Sequence, residues 1–478
     1  MNARAQSWNA ALLAHPGELD LTVARSHIDG DVPHGLRGGR LLSNGPGWTK
    51  IGDRLAHPFD GHGYLRAFSF EEDGTVRLRA RFIQTPAYTT ELAAGRLLHR
   101  GLGTNPSANF WKNLGGGLGQ RNVANTTVQR WNGKLLAGWE GGSPYSVDAD
   151  SLATLGEETF NGAIAGQATL AHMKHDVTTK RLVTCSVKMG PKTQLTFREF
   201  DESGALVRSR SASMPSMLFA HDFVITPNWY ALISNPLKMK FGALARFAAG
   251  ADTLINAIET NPDAAGAVLL IPRTSNEPMR IVTLPALAFA VHYGNAFEKD
   301  GAVHLDVCLF NAFVFGMEFG FQGPTSPLDP AKPDTRKPQR LYRVTVKDRA
   351  THGTWEQLAP HGIDFPRVHP DHEGVETPAL FGAARADVKH SDPFDSVIRV
   401  DLVDRERPPQ VWTAPTDVFV GEPIYVPESQ HLLSLLYDGH RGATTLAIFD
   451  ADSIHEGPRV NVPLPLMPYA FHGAWDRS

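Results

Sequence analysis

The 478-residue chain carries 46 basic and 50 acidic residues for a formal net charge of −4, with no long run of either sign, which excludes the basic stripe of a nucleic-acid binder. Its two cysteines, Cys185 and Cys308, are too few for a disulfide framework or a thiolate metal site, and both read as core residues of a protein from a reduced compartment. The first residues lack an apolar signal segment and no run of about 18 apolar residues follows, so the expectation is a cytoplasmic protein that does not span a membrane.

Glycine and proline, at 44 and 34 residues, punctuate short alternating segments instead of gathering in one linker, which is an all-β signature. In chain order, paired strands are predicted around Glu72-Asp73-Gly74, around Asn132-Gly133, around Asp201-Glu202-Ser203-Gly204, around Pro227-Asn228, around Asp300-Gly301 and around Asp438-Gly439. Asn-Gly and Asp-Gly favour the turns whose twist suits a two-residue hairpin. The pattern runs nearly end to end, predicting a single closed β unit over residues 1–478, a propeller. Residues 115–120, a glycine cluster, lack the spacing of a dinucleotide loop and read as a flexible connection.

One segment departs from this pattern. Over 236–259, Leu237, Phe241, Leu244 and Phe247 recur at helical spacing with Lys238, Lys240 and Arg246 beside them. An ordinary helix packed on the rim explains this; a surface that touches a membrane and admits a lipophilic substrate is the sharper alternative. The Phe-rich segment 310–327 is a second candidate for that rim.

Four widely spaced histidines, His172, His221, His292 and His472, each border an apolar, strand-like run. A lone histidine beside a strand is usually an ordinary core or surface residue, and the chain has 20. Here, however, His172, His221 and His292 stand at or just ahead of candidate hairpins, and equivalent starts in different blades converge on a propeller axis. Neutral imidazole suits several divalent metals. Four histidines with positions to spare favour a non-haem ferrous site over zinc, whose sites usually close at four mixed ligands.

The segment 221–226, His-Asp-Phe-Val-Ile-Thr, resembles the hallmark of the carotenoid cleavage oxygenase family, and 292–298 resembles its second hallmark. Residues 40–48 and 57–63 look like the family's N-terminal pattern, with His62 where an acidic residue is more usual. Segments 124–126, 139–145, 172–176, 365–367, 421–427 and 471–475 complete the series in the family's order. The resemblance implies a seven-bladed propeller, a helical or loop cap over its top face, and Fe(II) held on the axis by His172, His221, His292 and His472. The family orients its ligands with three glutamates. Glu140 and Glu422 match two of them and are expected to support His221 and His472. At the third position Asp364 is one methylene short. Either the backbone moves closer, a water bridges, or His292 is held less firmly, so Asp364→Ala is expected to cost less activity than Glu140→Ala.

The activity implied is oxidative cleavage by O2 of one C=C bond in a conjugated lipophilic substrate, giving two carbonyl products. The alkene supplies the electrons, so no organic cosubstrate is needed. Thr126 aligns with a residue beside an open iron position and is a candidate gate for O2. Phe59, Phe68, Phe110, Trp111, Trp139, Phe289 and Phe313 are candidates for the substrate tunnel, although aromatic residues bury large areas whatever their purpose. Relatives that cleave stilbenes or phenylpropenes typically carry Lys immediately before the first supporting glutamate. Trp139 stands there instead, which favours a carotenoid or apocarotenoid. Stilbene cleavage is the alternative, followed by retinoid-type isomerisation or a non-catalytic propeller. No nucleic-acid or protein partner is expected.

Overall fold

Two of the predicted turns set the local pattern. Asn132 and Gly133 have φ of +47° and +75°, and Asp300 and Gly301 have φ of +51° and +70°. Each pair is left-handed at both positions, the backbone of a tight hairpin. Asn132-Gly133 joins Thr127–Trp131 to Lys134–Gly138, and Asp300-Gly301 joins Phe289–Lys299 to Ala302–Phe310. These details come from a computed structural model that describes residues 2–477 apart from 115–120, 190–191, 215–217, 313–318, 322, 324, 327, 329–338 and 390–392.

Such hairpins build seven antiparallel sheets, the blades of a propeller. Blade one orders its strands Leu19–Val23, Val76–Phe82, His62–Phe70, Arg40–Asn44 and His472–Asp476. Blades two to seven follow in sequence over 127–157, 174–214, 224–283, 289–357, 363–413 and 418–465. The ring is closed inside blade one, where Asn44 pairs with His472 and Arg40 with Asp476. Val76–Phe82 shows why these sequences form strands: Val76, Leu78, Ala80 and Phe82 are buried while Arg77, Arg79 and Arg81 alternate outward beside Asp20. Cys185 and Cys308 are both buried, as composition suggested.

The insertion at 236–259 corrects the expected helix. Leu237–Met239 pairs instead with Ile258–Thr260 as a two-stranded ribbon, so Leu237 lies outside the helix, which spans only Phe241–Ala248. No side chain caps it at Lys240, and Gly250, at φ +75°, turns the chain away soon after its end. The insertion reaches across the ring: Arg100 donates to the Phe247 and Asp252 carbonyls, and Asn113 to the Gly250 carbonyl. It thereby bridges blade four to the connection between blades one and two. Half of the second candidate rim segment lies outside the described residues, Phe313 included. Its described part is packed, with Phe319 buried against Trp8, whose indole N–H donates to the Phe319 carbonyl at 2.9 Å.

A further helix, Pro86–Ala94, is capped by Thr85 and ends at left-handed Gly95. His62 ties it to blade one. The His62 ring lies between Trp48 and Tyr88, with Nε2 2.8 Å from a Glu91 oxygen, and Glu91 also faces Arg121 and accepts the Leu98 and His99 N–H groups. Burial outweighs the attraction of Glu91 and pushes His62 down to about 4. The unfolded chain takes up this proton near its ordinary pKa and the folded chain only near 4, so stability falls as pH drops through that window, by on the order of 3 kcal/mol. Thermal unfolding followed from neutral pH down to that window is expected to show a shallower decline for His62→Gln than for wild type; parallel curves would refute this.

Candidate metal centre

All seven blades contribute to one point. His172 precedes Lys174–Asp176 of blade three, His221 precedes Val224–Ile225 of blade four, His292 lies in Phe289–Lys299 of blade five, and His472 opens the strand that closes blade one. The other three blades supply carboxylates: Glu140 after Lys134–Gly138, Asp364 in Ile363–Arg367, and Glu422 between Val418–Val420 and Ile424–Val426. Edge strands of neighbouring sheets touch, so residues remote in sequence meet on the axis.

The four imidazoles place their available nitrogens within 4.8 Å of one another. His221 Nε2 lies 3.1 Å from both His172 Nε2 and His292 Nε2. Nitrogens held at right angles on one ion at about 2.1 Å would stand about 3 Å apart, so the cluster fits a shared divalent metal. An all-imidazole donor set suits iron, copper, nickel and zinc.

Carboxylates fix three of the rings from behind. Nδ1 of His221 lies 2.6 Å from Glu140 Oε1, Nδ1 of His292 lies 2.7 Å from Asp364 Oδ1, and Nδ1 of His472 lies 2.9 Å from Glu422 Oε1. A partner on Nδ1 leaves Nε2 available to ligate a metal. His172 has no carboxylate partner among the described residues. Burial pushes His172 well down and His472 down to about 4, which keeps both neutral as ligands must be. His221 is raised, because Glu140 overcomes its burial. Burial opposes charge on Glu422, yet Arg367 and His472 hold it at about 2.

Asp364 meets His292 directly, by way of the backbone. The pairing of its strand shifts register between Asp364 and Arg367, and Phe365 adopts φ +51°, a strained conformation for a bulky side chain. The Phe365 ring stacks on His292 at 5.3 Å and meets His472 edge-on at 5.2 Å. Arg367 donates to Glu422 Oε1 at 2.8 Å and to the Gly473 carbonyl at 2.9 Å. Sequence reasoning quoted both residues within a motif and gave neither a role; the Phe-Pro-Arg segment following an acidic residue was the available signal.

Thr126 is buried, with Oγ1 3.1 Å from Asn125 Oδ1 and 3.5 Å from Glu140 Oε2. The aromatic candidates separate. Phe59 contacts Phe319 and Phe471, next to His472, while Phe289 stacks at 6.1 Å on Phe219, two residues before His221. Trp139 is half-buried, its ring folded over Gly141 so closely that a Cβ added there would require the ring to shift. The other four lie elsewhere or beyond description. Phe68 is fully buried in the core of blade one, because its strand position faces inward with Leu41 and Leu78; Phe110 and Trp111 are 38% and 67% exposed on a surface turn; Phe313 is outside the described residues.

The family model described as retinal pigment epithelial membrane protein, RPE65, matches residues 14–477. Apocarotenoid-15,15′-oxygenase of Synechocystis is 31% identical over 99% of this chain and 96% of its own length. The chloroplastic carotenoid cleavage dioxygenase 7 of Oryza sativa is 28% identical over 96% of this chain and 88% of its own. The crystal structure of cobalt-substituted Synechocystis ACO superposes with a TM-score of 0.90 at 30% identity, covering 99% of both chains. The seven-bladed ring, the axial histidine cluster and a match along nearly the whole length agree: the chain belongs to the RPE65/carotenoid cleavage oxygenase family.

Proposed function

We propose that the protein is a non-haem Fe(II) dioxygenase that cleaves one C=C bond of a carotenoid or apocarotenoid to two carbonyl products. The observation that carries the reading is the cluster of four imidazoles, three of them backed by carboxylates, in a chain 31% identical to an apocarotenoid oxygenase. His172, His221, His292 and His472 would hold the iron, and Glu140, Asp364 and Glu422 would orient His221, His292 and His472. Bound iron would supply a site for O2 activation. Both oxygen atoms enter the products and both electron pairs of the double bond are consumed, so the equation balances without a reductant.

The protein's own part is placement. Phe59, Phe289 and Trp139 offer apolar surface near the axis that excludes water and aligns one alkene. Thr126, buried beside Glu140, would limit the approach of O2 to the histidine cluster. The test is turnover with 18O2 across carotenoids, apocarotenals and stilbenes. The expected products are two carbonyl compounds from a carotenoid or apocarotenal, each carrying label; turnover without O2 uptake would identify an isomerase, and cleavage of stilbenes alone would overturn the substrate assignment.

Access from a membrane surface belongs to the same reading. Phe241 is 83% exposed, and Trp111 and Leu114 are exposed on the adjoining segment, with Lys112, Lys238, Lys240 and Arg246 nearby in sequence. Among the described residues no helix is long and apolar enough to cross a membrane. A peripheral contact needs only such a rim, and Phe241→Glu is expected to reduce co-sedimentation with anionic liposomes while leaving bound iron unchanged. Equal co-sedimentation would remove this contact from the proposal.

A further inference from the structure

Arg66, on the His62–Phe70 strand, is completely buried. Its Nη1 donates to Ser43 Oγ at 3.4 Å and its guanidinium lies over the Tyr64 ring at 5.1 Å, but Nε and Nη2 have no acceptor among the described residues. Comparably buried arginines are neutralised: Arg121 faces Glu91, and Arg273 faces Asp176 and Glu199. A buried guanidinium without a counter-charge is costly, and this one sits among further donors that need acceptors.

Ser43 and Tyr437 supply those donors. Tyr437 is near enough to Arg66 for each to shift the other's protonation, and both Ser43 and Tyr437 line a small cavity between blades one and seven. The Tyr437 oxygen accepts the Ala470 N–H at 3.0 Å, so its own proton is left to donate. The Ser43 oxygen accepts from Arg66 and is in the same position. Neither hydroxyl has an acceptor among the described residues. Glu422 borders the cavity too, but its oxygens are taken by His472, Arg367 and the Gly473 N–H.

We infer that Arg66, Ser43 and Tyr437 form a buried site for one monovalent anion of halide size, such as chloride. One guanidinium balances one negative charge, and two hydroxyl protons add the acceptor-seeking contacts that an anion satisfies and a further cation cannot. The site would clasp the closure of the ring. Tyr437 holds Ala470, Ser43 pairs with Gly473, and His472 lies between those two attachment points.

The test uses the intact wild-type protein. Crystals grown in bromide are expected to show an anomalous peak within hydrogen-bonding distance of Arg66, Ser43 and Tyr437. Replacing gluconate by chloride at constant ionic strength is expected to raise Tm along a saturable curve. In Arg66→Met, whose side chain fills similar space without charge, both the peak and the chloride dependence should vanish. If that variant does not fold, the wild-type measurements decide alone. No anomalous peak at Arg66, or equal Tm in the two salts, would overturn the assignment.

Discussion

Iron analysis of His221→Ala is expected to find no stoichiometric metal and no measurable cleavage activity. His221 is the common neighbour of the cluster, with Nε2 3.1 Å from the corresponding nitrogens of both His172 and His292, so its removal opens the middle of the donor set. It also strands Glu140, whose carboxylate then keeps its burial cost without the imidazole that offsets it. The control is His175→Ala: this histidine is exposed and its ring faces Trp131, outside the cluster. It should retain iron. Wild-type metal content in His221→Ala would remove the ligand assignment altogether.

The second large effect concerns the carboxylate that departs from the family's usual pattern. From sequence, the shorter Asp364 left three possibilities, a closer backbone, a bridging water or a less firmly held His292, and suggested a milder loss on truncation than at Glu140. The structure fits the first of these, with a direct 2.7 Å contact, shorter than the 2.9 Å between Glu422 and His472. Asp364→Ala is therefore expected to lower metal affinity by about 10–100-fold, as much as Glu140→Ala. Asp364→Glu, which restores the family's usual residue, should also lose metal. Its added methylene enters a contact already closed, beside a Phe365 ring fixed in a left-handed backbone, and overpacking of this kind costs about 1–3 kcal/mol. Metal titration of the two variants reads the result directly. Wild-type affinity in Asp364→Glu would mean that the bulge at 364–367 relaxes to fit the longer side chain.

The strands were readable because alternation and turn chemistry are local. Asn132-Gly133 and Asp300-Gly301 announce their turns in two residues each, and the pattern repeats around the ring. The four histidines were readable for a different reason: each lies in or just ahead of an edge strand of its sheet, so a local position implied a shared centre. Three kinds of feature resisted. The 236–259 insertion had a helical stripe, yet pairing between Leu237–Met239 and Ile258–Thr260 took its ends, and strand pairing across a loop leaves no periodic mark. Phe68, Phe110 and Trp111 shared an aromatic character that specifies area to be covered and says nothing of what covers it. The left-handed backbone of Phe365 had no signature in its residue type; it coincides with the register shift of its own strand pair, and its ring meets His292 and His472 from other blades.

The strand that closes blade one also carries His472. The centre consequently has no partial version: blades three, four and five alone can gather three imidazoles, but the fourth arrives only when the two ends of the propeller have found each other, a non-local event of the kind that folds slowly. Metal stoichiometry thus doubles as a census of completed rings. A preparation that holds less than one ion per chain should be sorted first into closed and open molecules, and only then into loaded and unloaded ones.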